Sequence, residues 1–210
     1  MNLEAYRFPI LLAGNLSLDF SNTVEFRDSE RCLEFLHAYD HLVAWCWQRQ
    51  LISTAESEQL LALASQQPDK ATAAHRQALD LRDLIYRLFT AVIAEEQVGS
   101  SDLASLNEAL SKSQQVIERT STGLGWSWAK SDEPAQVLAP ITLAAAELLA
   151  SKQLQWIRQC PNCGWLFVDT SRNHSRRWCS MDFCGSKIKS RRQYERRKDV
   201  QARHELANRF

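Results

Sequence analysis

CPNCGWLFVDTSRNHSRRWCSMDFC, Cys160 to Cys184, holds four of the chain's 6 cysteines in the order C-x2-C-x15-C-x4-C. Tetrahedral Zn²⁺ accepts four thiolates at about 2.3 Å, and two close pairs supply them with little local strain. Pro161 and Gly164 suit a tight knuckle whose amides turn toward sulfur, and Cys184 stands just ahead of a helical pattern whose N-terminus favours a thiolate. Cys160, Cys163, Cys179 and Cys184 are therefore read as ligands of one structural zinc, closed because no coordination position is left for water or substrate. A catalytic site with His174 in place of one cysteine is the alternative, and four matching cysteines argue against it. WLFVD and RRWCS read as the strands of a hairpin turning at TSRNHS, with Trp165 and Trp178 packed over the metal.

The formal net charge is +0, but it is unevenly distributed. Met1 to Gln159 carry 13 Lys and Arg against 20 Asp and Glu, whereas Cys160 to Phe210 carry 12 against 5. A reversal where the cysteines begin marks a boundary, and the basic side points to an acidic partner such as nucleic acid. Past Cys184, Lys187, Arg191 and Lys198 share one helical sector, and Lys189, Arg192 and Arg196 form a neighbouring row. Arg172, Arg176 and Arg177 add charge from the hairpin. Ile188 and Tyr194 are expected to anchor the helix to the metal core. Such a helix can follow phosphates or enter a major groove, so duplex DNA is the expected partner, with RNA or an acidic protein surface as the alternative.

The acidic part reads as helices. Ser29 is placed as the cap of a helix with apolar positions Phe35, Leu36, Tyr39, Leu42, Val43, Cys46 and Trp47. Ser53 with Glu56 is a capping box, Pro68 opens a long helix ended by Gly99, and another starts near Ser101. QQVIER and LGWSWAK alternate around Ser121 to Gly123 as a short hairpin, followed by a helix from Pro134 to Ser151 that Pro140 kinks or splits. The expected fold is a mainly α N-terminal domain with one β-hairpin, residues 1–155, plus a small α+β zinc module, residues 156–210. That module combines a treble-clef-like knuckle, a hairpin and a C-terminal helix. WIRQ leads directly into the cysteines, so the two parts are expected to pack together.

The run from Cys160 to Lys198 resembles the CGNR-type zinc finger, and LAGNLSLDFSNTVEFR, Leu12 to Arg27, resembles the opening of the ABATE domain that accompanies it. The resemblance implies a bacterial stress-response transcription regulator whose finger binds DNA. It departs at the signature, where Cys184, Gly185, Ser186 and Lys187 replace Cys-Gly-Asn-Arg, so an amide and a planar guanidinium fork are lost.

LSLDFSNT alternates as a half-buried strand followed by turn residues. Asp19, Asn22, Trp45 and Arg82 are candidates to line an effector pocket, against the plainer reading of turn satisfaction and packing. His37 and His41 near Asp40 complete no metalloenzyme pattern, and GxSxG, P-loop and GxGxxG motifs are absent, so no enzymatic activity is expected. No apolar run reaches the roughly 18 residues of a membrane span, and no basic leader precedes a cleavable apolar stretch, so a cytoplasmic protein without membrane attachment is expected. A homodimer is compatible with a small finger interface.

Overall fold

The computed structural model of the chain describes residues 2–27, 29–120, 123–128 and 133–207. Seven α-helices are found among them: α1 (Leu16–Ser21), α2 (Tyr39–Gln48), α3 (Thr54–Gln66), α4 (Pro68–Ile93), α5 (Ser100–Ser111), α6 (Ala139–Leu149) and α7 (Ser186–Ala207). Three antiparallel pairs accompany them: β1 (Val24–Glu25) with β2 (Leu33–Glu34), β3 (Gln115–Thr120) with β4 (Gly123–Trp128), and β5 (Ile157–Gln159) with β6 (Leu166–Val168). No helix among the described residues is long and apolar enough to cross a membrane.

The centre of the body is α4, whose 26 residues span about 39 Å at 1.5 Å per residue. Pro68 occupies its first turn, where a missing N–H costs nothing, and Ala71, Ala74, Ala78, Leu81, Leu84, Ile85, Leu88 and Phe89 make its buried face. Helices α1, α2, α3, α5 and α6 pack around it. The capping box at α3 is complete: Ser53 Oγ accepts from the Glu56 amide, and Glu56 Oε2 accepts from the Ser53 amide. Helix α4 ends before Gly99. Glu95 takes the left-handed position at φ 57°, the Glu96 amide returns to Ala91 O at 2.9 Å, and Gly99 instead caps α5. Pro140 splits its segment into a 3-10 turn at Pro134–Leu138 and then α6. The β3–β4 hairpin forms where the alternation placed it, although Ser121 and Thr122 of its turn lie outside the described residues.

Three expectations are overturned. LSLDFS is helix α1, not a strand: Asn15 Oδ1 caps it by accepting from the Ser17 amide at 2.9 Å. Ser17, Leu18, Phe20 and Ser21 are all buried, so the polar and apolar alternation does not separate solvent from core. Ser29 caps no helix. Its hydroxyl donates to Phe26 O at 2.8 Å and accepts from the Arg31 amide in the β1–β2 connection, and α2 starts only at Tyr39. In the metal module, β6 pairs with β5 from before the first cysteine, while RRWCS contains no strand.

That pairing decides how body and module meet. Along β6 the side chains alternate: Leu166 and Val168 enter the core of the helical body together with Ile157, while Phe167 enters the cysteine cluster. One strand therefore serves two cores.

Candidate metal centre and nucleic-acid interface

The sulfur atoms of Cys160, Cys163, Cys179 and Cys184 all lie within 4.8 Å of one another, and all four residues are buried. Cys163 Sγ is 3.6 Å from Cys179 Sγ, which is 3.5 Å from Cys184 Sγ. A tetrahedron with metal–sulfur bonds of 2.3 Å has edges of about 3.8 Å, so the donor set fits a closed four-thiolate site.

Each half of the site is built by its local chain. In the knuckle, the Cys160 amide donates to Trp165 O at 2.8 Å and the Gly164 amide to Cys160 O at 2.9 Å. Gly164 sits at φ 81°, where a side chain strains the backbone. The thiols titrate as a set: the Cys163 and Cys179 side chains favour a thiolate at Cys160, and that charge pushes the Cys163 and Cys179 thiols up. In the second half, Ser180 caps a turn of π-helix at Met181–Gly185: its hydroxyl accepts from the Asp182 and Phe183 amides, and its carbonyl from the Cys184 and Gly185 amides. A Cβ at Gly185 would meet the flexible end of the Met181 side chain at 2.7 Å and the Trp178 ring at 3.3 Å, so a larger residue there would displace Met181. Asn162 Nδ2 reaches Cys184 Sγ at 3.3 Å and ties the two halves together.

The loop between the pairs is organised by Asp169, a residue to which the sequence reading gave no role. Its carboxylate accepts from the Ser171 amide and hydroxyl at 2.9 and 2.6 Å and from the Arg176 amide at 2.7 Å. Burial opposes its charge, but these donors outweigh burial and hold it below the usual carboxylate range. His174 is not a ligand: it stacks on Trp156 at 4.3 Å, and its Nδ1 pairs with Asp169 O. Trp165 and Trp178 do flank the cysteine cluster.

The basic residues divide into two groups. Arg176 turns inward, donating to Trp178 O and Cys179 O and lying 4.6 Å from the centre of the Phe167 ring, so it braces the metal loop and is withdrawn from the candidate contacts. Arg172, Arg177, Lys187, Lys189, Arg191, Arg196 and Lys198 are exposed, as is Arg197, which the sequence reading passed over; the Arg192 side chain lies outside the described residues. From Lys189 to Lys198 every described side chain of α7 is exposed, Tyr194 included at 66%, so Tyr194 does not anchor the helix as expected; Ile188 is half-buried. Glu195 pairs with Arg191 at 2.9 Å within this exposed surface.

The four effector-pocket candidates do not converge on a cavity. Asp19 Oδ1 accepts from the Leu12 and Ala13 amides at 3.2 and 3.1 Å, fixing the chain ahead of α1. Trp45 is buried edge-on against Phe20, ring centres 5.1 Å apart. Arg82 forks onto Glu34 at 2.6 and 2.8 Å; burial raises the Glu34 carboxyl, but Arg82 and the Leu36 and Phe35 amides bring it below its ordinary range. Asn22 pairs with strand β6, its amide donating to Leu166 O and accepting from the Leu166 amide, both at 2.9 Å. It belongs to a seam: Ala13 O accepts from the Val168 amide at 2.8 Å, Val24 O from the Trp165 indole at 3.0 Å, and Cys163 O from the Phe26 amide at 3.1 Å.

A helical body joined by a backbone seam to a knuckle of four cysteines positioned to bind a metal ion, followed by a basic helix, defines the class of zinc-finger proteins. Residues 14–152 match the ABATE family, described as "putative stress-induced transcription regulator", and residues 157–197 match the CGNR zinc finger. The chain belongs to the ABATE family and ends in a CGNR zinc finger. No curated protein matches it.

Proposed function

We propose that the protein is a DNA-binding transcription regulator in which one structural Zn²⁺ holds the module and α7 carries the contact surface. The observation that carries this reading is α7 itself: its head is fixed by Cys184, while its cations are exposed on every described side from Lys189 to Lys198. A helix polar all round gains little from its own chain and is suited to a partner that supplies counter-charge. Four thiolates in tetrahedral spacing favour zinc, whose role there is a crosslink without a reactive position. The acidic helical body takes the part of the input domain, responding to a small molecule or partner outside the Asp19, Asn22, Trp45 and Arg82 set. No catalytic step enters this reading, and a homodimer would enlarge an otherwise small interface.

The test is selection from a randomised duplex pool at near-physiological salt with RNA as competitor. Enrichment of one short motif supports a sequence-specific regulator. Salt-sensitive binding without enrichment, or preference for RNA, assigns the finger an electrostatic role only; Phe183 and Tyr194, both exposed, are the features that favour the RNA alternative.

A further inference from the structure

The turn Met181–Gly185 points to a specificity device that rests on the DNA-binding reading. Met181 and Phe183 are 51% and 47% exposed, although they sit in a hydrogen-bonded turn between and around two of the four cysteines. Metal ligands close it at both ends, Cys179 and Cys184, and Ser180 accepts from the Asp182 and Phe183 amides inside it. Flexible loops tolerate stray apolar side chains, but a rigid turn that presents two of them outward from a basic module is a preformed contact. The turn runs directly into α7, so Phe183 precedes Lys187 by four residues at the head of the basic helix. Arg177, also exposed, lies over the Trp178 ring at 5.4 Å beside the same turn.

Between the two apolar residues is Asp182, also exposed. A carboxylate is repelled by phosphate, so this tip does not lie along the DNA backbone, but it is compatible with base edges in the major groove, where cytosine offers an amino donor and thymine a methyl group. At the first position of α7, Ser186 donates its hydroxyl proton to Asp182 O at 2.6 Å, which leaves it only as an acceptor. We infer that Met181 and Phe183 are base-reading side chains that pack against thymine 5-methyl groups in the major groove, while the cations of α7 hold the flanking phosphates. The helix would enter the groove with its N-terminal end toward the bases, the orientation common to recognition helices.

The experiment uses the full zinc-loaded chain and two short alternating duplexes, one A·T and one with deoxyuridine in place of every thymidine. The change in the DNA removes only methyl groups and needs no protein variant. Wild type is expected to bind the uracil duplex about fourfold more weakly per contacted methyl. Phe183→Ala should bind the A·T duplex more weakly and show a smaller uracil penalty, whereas Phe183→Leu should retain much of the penalty, with metal content and salt dependence unchanged in both. Equal affinity of wild type for the two duplexes overturns the inference. So does an identical uracil penalty in wild type and Phe183→Ala. A wild-type protein that binds neither duplex at any salt overturns the DNA-binding reading, and this inference with it.

Discussion

The helical body and the metal module achieve order by opposite means. The body buries a large apolar set around α4, including Trp45, Phe20, Phe89, Ile85 and Leu88, and no single group carries it. The module's own cluster consists of Phe167 and four cysteines, with Phe26, Trp165 and Trp178 partly buried against it. Phe26 comes from the body. A module with so little apolar burial is expected to depend on a metal crosslink between its cysteines, so the two regions should fail for different reasons. The largest expected effect is Cys179→Ser. It should abolish stoichiometric metal binding and melt the turn and α7, while most of the helical signal of the body survives; metal content and far-ultraviolet circular dichroism report both. Full metal occupancy in this variant would break the contrast by removing Cys179 from the ligand set.

The converse damage starts in the body. Trp45→Ala removes a fully buried indole from its contact with Phe20 and should cost about 3–5 kcal/mol of unfolding free energy. Metal stoichiometry in the folded fraction should not change. A near-neutral result by thermal or denaturant unfolding would revive the pocket-lining role that the sequence suggested for this residue.

The seam sharpens the contrast, because it belongs to neither region alone. Asn22→Ala removes both partners of the Leu166 backbone at a buried position, leaving a donor and an acceptor of β6 unpaired. At about 1–3 kcal/mol for each unsatisfied group, the loss is expected to be about 2–6 kcal/mol. It should fall on the junction: hydrogen exchange should quicken in β5 and β6 before it quickens in α4. Uniform exchange across the chain would mean that body and module unfold as one unit.

These three residues also show what the sequence could and could not disclose. The cysteine spacing was legible because metal coordination is stereotyped and its ligands lie close together in the chain. The Ser53–Glu56 box and Pro68 were legible because helix starts are local chemistry. For Asn22 the plainer reading, satisfaction of backbone groups, holds, but its partner Leu166 is 144 residues away and nothing in LSLDFSNT announces a strand edge to be satisfied. Helix α1 was misread because burial on all sides erases the amphipathic period that identifies longer helices. The alternation in WLFVD does signal a strand, but a strand's own pattern does not name its partner, and β5 lies in the short segment that leads into the knuckle.

The smallest effect on stability separates two arginines of the same module. Arg176 is spent on Trp178 O, Cys179 O and the Phe167 ring, whereas Arg191 is exposed and, among the described residues, pairs with Glu195 one turn away. Removing Arg191 costs at most a surface ion pair, worth about 0–1 kcal/mol, yet if α7 tracks phosphates it should reduce the log–log salt slope of DNA binding by about 0.9. Arg176→Ala should do the reverse: it leaves two carbonyls at the metal loop without their donor, lowering stability and metal retention while the slope of the folded fraction stays put. Salt titrations of the two variants, read beside their unfolding curves, therefore divide basic residues that build the module from those that serve its partner. A slope that falls with Arg176 and not with Arg191 would move the contact surface from the helix to the loop between the cysteine pairs, where Arg172 and Arg177 are exposed.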